Sequence, residues 1–268
     1  MSSKQAQWYH SMNFTYLKEW DDAEKKHGTI NTWDDWHLIP TSRPVFNPPS
    51  VKEVYIDIPG SNGRLDMTES LAGYPLYDNR TGSFEFIVAN GYRPLWIGGY
   101  QKFANWLHGR DLRCVLDDDT SYFYEGRFTM KEWKSNNDGT WSNVTIDYNV
   151  APYKRSIHTS LDDWLWDPFN FETDVINKVN NITINRYVNL KVHTDMPVIP
   201  TLYLNSDHAT QKFTVNINGT IIGNISVGTF RDPRLELLPG TTEIGVSVSD
   251  KTASYNNTVS VSFRGGSL

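Results

Sequence analysis

The chain has 268 residues, a formal charge of −6, 10 Trp, 14 Tyr, 12 Phe and a single cysteine. That length suits two domains of roughly 100–150 residues, each able to bury a core without staples or metals. One cysteine excludes an intrachain disulfide. The acidic balance, with no Lys/Arg run longer than Lys25-Lys26 or Lys154-Arg155, argues against a nucleic-acid-binding face.

No apolar stretch approaches the ~18 residues of a membrane span. The opening MSSKQAQWYHSMNF lacks a signal-peptide core, so folding in a cytosol is expected. Beyond it, period-2 alternation dominates the first half. Val54, Ile56 and Ile58 share one face, with Tyr55 and Asp57 on the other; Phe84, Phe86 and Val88 repeat the pattern, as do Val144, Ile146, Tyr148 and Val150. Asn62-Gly63 and Asp138-Gly139 have the chemistry of two-residue hairpin turns. The second is expected to fold a strand near 127–134 back onto 141–150.

One helix stands out, over about 94–108. Trp96, Tyr100, Phe103 and Leu107 fall on a single stripe, Pro94 suits the first turn, and Gly109 suits the residue after the end. Gly98 and Gly99 each weaken it by about 1 kcal/mol relative to Ala, so packing must hold it. Next, the alternating run around Cys114 makes that thiol a buried strand residue. Asp117-Asp118-Asp119 reads as an acidic β-turn, because three adjacent carboxylates do not form the spaced loop that a calcium ion needs.

Residues 156–174 lose the strand alternation and carry Trp164, Trp166, Phe169 and Phe171. They read as an aromatic-rich connector, with Ser160 and Asp163 spaced as a capping box and Pro168 as a stop. From residue 181 the alternation is cleanest. Ile182, Ile184, Val188, Leu190 and Val192 are expected on one face, followed by Leu202/Leu204, Phe213/Val215/Ile217, Ile244/Val246/Val248 and Val259/Val261/Phe263. Asn218-Gly219 and Pro239-Gly240 supply turns. Strands at this spacing with no helix between them indicate an antiparallel β-sandwich.

No chemistry-bearing motif emerges. The seven histidines show no HxH, HxxxH or HExxH spacing, and there is neither G-x-S-x-G nor a phosphate-cradling glycine loop. No catalytic residue, metal site or cofactor is expected. Aromatics on strands suit sugar stacking, but equally a β core or a protein interface.

Several longer stretches carry a resemblance. These are Asn31–Val88 (NTWDDWHLIPTSRPVFNPPSVKEVYIDIPGSNGRLDMTESLAGYPLYDNRTGSFEFIV), Leu107–Phe128 (LHGRDLRCVLDDDTSYFYEGRF), Ile146–Lys154 (IDYNVAPYK), Asp162–Ile176 (DDWLWDPFNFETDVI) and Phe263–Leu268 (FRGGSL). In this order they resemble the distal tail proteins of siphophages that infect Gram-positive bacteria.

The resemblance implies a mainly β protein. Residues 1–155 would form a barrel-like (RIFT-related) tail-hub domain with one α-helix, 156–174 the connector, and 175–268 a galectin-like β-sandwich. It further implies a homohexameric ring at the tail tip, around the DNA ejection channel. Its partners would be the tail tube protein, the tail-associated hub or lysin protein, and the receptor-binding or baseplate apparatus. The chain would be made in the bacterial host cytoplasm, with no specific nucleic-acid binding and no membrane insertion.

Interface or junction candidates are Trp33, Trp36, Arg43, Arg80, Trp164, Trp166 and Phe169. Arg80, at a strand entrance, is expected either to pair with an acid of its own or a neighbouring subunit, or to sit in a solvated turn. Gly60, Gly63, Gly73 and Gly82 mark turns or close backbone approaches. Each subunit of a ring repeats the −6 charge, so subunits must meet through locally complementary patches. An acidic or neutral lumen is expected. The alternative function is a carbohydrate-binding adhesion module that recognises a host surface saccharide.

Overall fold

A computed structural model describes residues 10–17, 28–89, 93–135, 140–162, 178–250 and 255–268. The chain divides into two compact units, the first running to Lys154 and the second over Arg155–Ser267.

The first unit contains β1 (Met12–Tyr16), β2 (Thr29–Asn31), β3 (Leu38–Pro40), β4 (Tyr55–Asp57), β5 (Arg64–Asp66), β6 (Arg80–Ala89), α1 (Arg93–Leu107), β7 (Arg110–Leu116), β8 (Asp119–Ser135) and β9 (Trp141–Val150). Seven strands pair in the order β2-β1-β7-β8-β9-β6-β3, all antiparallel along that path. The order begins and ends on different strands, so the sheet is open; it curls into a half-barrel.

Its concave side is filled by the alternating residues read from the sequence. Phe86, Val144, Ile146 and Val150 are buried, with Phe14 edge-on to Phe128 at 4.9 Å. The β8–β9 register, Arg127↔Asn149 through Lys134↔Asn143, is the expected fold-back. The Asp138-Gly139 turn itself lies outside the described residues.

Helix α1 matches the expected span to within one residue, and Gly109 follows it with φ +72°. Phe103 and Leu107 are buried, whereas Tyr100 is about one-third exposed. Phe103 meets Trp36 at 5.0 Å and Trp133 at 5.8 Å, so the stripe packs against β8 and the segment before β3. Cys114 is fully buried, and burial pushes its thiol well up.

The second unit contains β10 (Lys154–Ser156, whose first residue closes the first unit), β11 (Val179–Thr183), β12 (Tyr187–Thr194), β13 (Thr201–Ser206), β14 (Lys212–Ile217), β15 (Thr220–Ser226), β16 (Gly228–Phe230), β17 (Gly240–Val248), β18 (Asn257–Ser262) and β19 (Gly266–Ser267). Two antiparallel four-stranded sheets, β11-β18-β13-β16 and β12-β17-β14-β15, enclose one apolar cluster. The pairs and triplets expected to point inward, from Leu202 to Phe263, are all buried. Asn218 and Gly219 both have positive φ and join Ile217 to Thr220, the turn that their chemistry favours.

One expectation is corrected here. The run from Ile182 to Val192 is not one strand. A bulge with Asn181 at φ +51° and a bend at 185–186 split it, placing β11 in one sheet and β12 in the other. Ile182 is therefore exposed although Ile184 is buried. The Ser160 hydroxyl donates to the Val261 carbonyl and accepts from the Phe263 N–H, while the capping box expected with Asp163 falls outside the described residues.

Candidate functional site

The most unusual feature of the first unit is a segment without a core. Between the buried Phe46 and the buried Arg80, none of the residues 48–79 is buried. Pro48 and Pro49 deny the chain strand hydrogen bonds as it leaves the half-barrel. It then pairs with itself: Val51 bridges Tyr77, Lys52 N–H donates to Leu76, and Asp78 N–H donates to Ser50. Strands β4 and β5 follow, with Ile56 opposite Leu65.

The expected two-residue turn at Asn62-Gly63 is a longer loop. Asp57 pairs with Arg64, which leaves 58–63 to turn, closed by Ser61 N–H donating to Ile58 and by positive φ at Gly60 and Gly63. Pro59-Gly60 supplies the tighter bend within it.

This arm is amphipathic. Val54, Ile56, Ile58 and Leu65 share one face and are each about half exposed (46–50 %). Tyr55, Asp57, Arg64 and Asp66 lie on the other, where Arg64 and Asp57 form an ion pair at 3.0 Å. The Thr68 hydroxyl and N–H hold the Asp66 carboxyl below its usual range. Four outward apolar residues on one short hairpin face form a contiguous patch, unlike the scattered apolar groups of an ordinary surface.

The root of the arm, by contrast, is tightly built. Phe46 is stacked on Tyr124 at 3.8 Å and edge-on to Phe84 and Tyr148. Asn47 N–H donates to the Tyr148 hydroxyl at 2.8 Å, and its Nδ2 donates to the Thr81 carbonyl at 3.1 Å. Arg80 is only 4 % exposed. Its Nε donates to the Pro152 carbonyl at 2.7 Å and its Nη1 to the Asn47 carbonyl at 3.0 Å, while Nη2 has no partner among the described residues.

Arg80 is thus not in a solvated turn. It pairs with backbone carbonyls on the two sides of the root, because strand register carries it inward beside Tyr124. Burial pulls its pKa below the ordinary value. Gly82 makes this packing possible: a Cβ there would stand 2.6 Å from Asn47 Nδ2 and 2.7 Å from Tyr148 Cζ.

The remaining candidates are dispersed. Arg43 is exposed and donates to Asp118 at 2.8 Å. Trp36 packs edge-on against Phe103, and its indole N–H has no acceptor among the described residues. Trp33 lies over His37 at 5.6 Å, after a turn capped by Asn31 Oδ1. Trp164, Trp166 and Phe169 fall outside the described residues.

The acidic run forms a turn in which each carboxylate has its own partners. Asp117 has Ser11 and Asn13, Asp118 has His10 and Arg43, and Asp119 has Lys154. Among the described residues no three His, Cys, Asp or Glu side chains gather as metal ligands.

Sequence reasoning missed the arm. Its signal was present in the isolation of a short alternating run between Pro48-Pro49 and the glycines at 60, 63 and 73.

No protein-family model matches the sequence, and no curated protein matches it. Among solved structures the chain is similar to the SPP1 Dit (gp 19.1) protein, presented as a paradigm of the hub adsorption apparatus in phages infecting Gram-positive bacteria. The two superpose with a TM-score of 0.55 over 96 % of this chain and 99 % of that one, at 12 % identity. With so little sequence in common the likeness is one of fold, and this chain has the fold of a phage Dit protein.

Proposed function

We propose that this protein is a structural component of a virion, the ring-forming hub at the distal end of a siphophage tail. In this reading six copies join the tail tube to the tail-associated hub protein and to the receptor-binding apparatus. Residues 1–155 build the ring, and 175–268 form the outward sandwich. No catalytic step belongs to it.

The observation that carries the reading is the Dit fold running through nearly the whole chain, across both units. The uncovered apolar arm supports it independently. A lone two-stranded hairpin is marginal in water, so one that exposes its apolar face calls for a partner surface.

Negative-stain electron microscopy with light scattering, over a range of concentrations, tests this directly. Six-fold rings with a central hole are expected, and gold-labelled antibody should mark the tail tip of intact particles. Labelling elsewhere on the particle would refute the hub role. The full chain should also be silent on a glycan array; strong binding there would favour an adhesion module instead.

A further inference from the structure

We propose that Asn62 is a modification site of this chain, an asparagine that deamidates through attack by the Gly63 backbone nitrogen. The chemically identical pair Asn218-Gly219 is held intact by its surroundings. This chemistry is independent of the hub role.

Asparagine followed by glycine occurs at 62–63, 90–91 and 218–219. The middle pair lies outside the described residues. Glycine has no side chain to shield its amide nitrogen, so the outer two pairs share the same local chemistry. A Cβ at Gly63 or at Gly219 would meet nothing within 4 Å, so neither glycine is crowded. What separates the pairs is whether the asparagine can swing its Cγ onto that nitrogen.

Asn62 can. It is exposed and follows the turn that the Ser61 N–H closes on the Ile58 carbonyl, and strand pairing resumes only at Arg64. Among the described residues nothing bonds to its carboxamide. The Ser61 hydroxyl donates to the Asn62 main-chain carbonyl at 3.3 Å. Peptide resonance spreads the charge of a deprotonated Gly63 nitrogen onto that oxygen, where the hydroxyl stabilises it.

Asn218 cannot. Its Nδ2, the leaving group, donates to the Glu236 carbonyl at 2.8 Å. Its backbone is fixed at φ +50° in a two-residue turn between the paired Ile217 and Thr220. Turning Cγ towards the Gly219 nitrogen would break that bond and disturb that pairing.

The step needs only water and hydroxide. Hydroxide takes the Gly63 N–H proton, and the nitrogen bonds to Asn62 Cγ. The Cγ–Nδ2 bond then breaks, and Nδ2 takes a proton from water and leaves as ammonia. Water reopens the cyclic imide: cleavage at Cγ leaves aspartate, and cleavage at the main-chain carbonyl carbon leaves isoaspartate. Either product takes the formal charge of the chain from −6 to −7. Isoaspartate also lengthens the 58–63 loop by one main-chain carbon.

The full chain should be incubated at mildly alkaline pH, natively and in denaturant, with peptide mass mapping that follows each Asn-Gly pair separately. In the native chain Asn62 should convert at least about tenfold faster than Asn218, a gap of about 1.4 kcal/mol in barrier. In denaturant the two rates should converge, because the bond to Glu236 is gone. Ser61→Ala should slow Asn62 and leave Asn218 unchanged.

Equal native rates would overturn the proposal, as would an Asn62 that stays intact natively while converting in denaturant. A gap that persists in denaturant would also overturn it, by placing the cause in flanking residues and not in the fold. An undiminished Asn62 rate in Ser61→Ala would strike the hydroxyl from the step.

Discussion

Gly82→Ala separates a built root from a merely adjacent one. The new methyl would meet the Tyr148 hydroxyl and stand 2.6 Å from Asn47 Nδ2 and 2.7 Å from Tyr148 Cζ. All three are side-chain atoms, but none is free to move. The Tyr148 ring is buried against Phe46 and Phe84, its hydroxyl holds Asn47 N–H, and Asn47 Nδ2 holds the Thr81 carbonyl.

Overpacking of this kind costs about 1–3 kcal/mol. Losing the bond from Asn47 N–H adds about 1 kcal/mol. Against this, the stiffer unfolded chain returns only about 0.4–1 kcal/mol. The net is a loss of about 1–3.5 kcal/mol, or about 2–14 °C in the melting of a unit of this size.

Melting should be followed by near-ultraviolet circular dichroism, because Tyr148, Tyr124 and Phe46 report on the root directly. Gly98→Ala is the matched control: a Cβ there meets nothing within 4 Å in the middle of α1. It should gain about 0.8–1.0 kcal/mol. Equal melting temperatures for Gly82→Ala and the parent, with Gly98→Ala raised, would refute the packing argument for the root.

Three further outcomes are expected. Gly126→Ala should be worse than Gly82→Ala, since its methyl would stand 2.5 Å from Val150 Cα and against the Asn149 carbonyl, backbone that cannot swing aside. Cys114 should resist thiol reagents at neutral pH in the native state and react fully in denaturant, because burial raises its pKa and closes access; native-state labelling would contradict this. Asp232, bonded to the Arg234 side chain and N–H, is held down from 3.8 to about 2. A folded-state value below the unfolded one means the pair's contribution is present above about pH 4 and lost as pH falls through about 2. Carboxyl NMR should place the midpoint near 2, and Arg234→Ala should return it towards 3.8.

Much of this architecture was legible in the residues. Alternation at Phe84–Val88, Val144–Val150 and from Leu202 onward marks side chains that share a face, and packing one such face on another makes the two cores. Turn chemistry located the bend at Asn218-Gly219, and helical spacing located α1, because both are dictated within a few residues. What the sequence by itself determined, then, is which side chains lie together along an element.

What covers them is settled only by distant parts of the chain. Val54, Ile56 and Ile58 alternate as cleanly as any core strand, yet no described element lies over them. Ile182 falls in phase with Ile184, but the positive φ at Asn181 and the bend at 185–186 send the two halves to different sheets. Arg80 reads as a surface charge and is buried, because the carbonyls of Asn47 and Pro152, 33 and 72 residues away, converge on it. Periodicity is a property of neighbours in sequence; cover, counter-charge and acceptor come from residues that only the tertiary structure brings near.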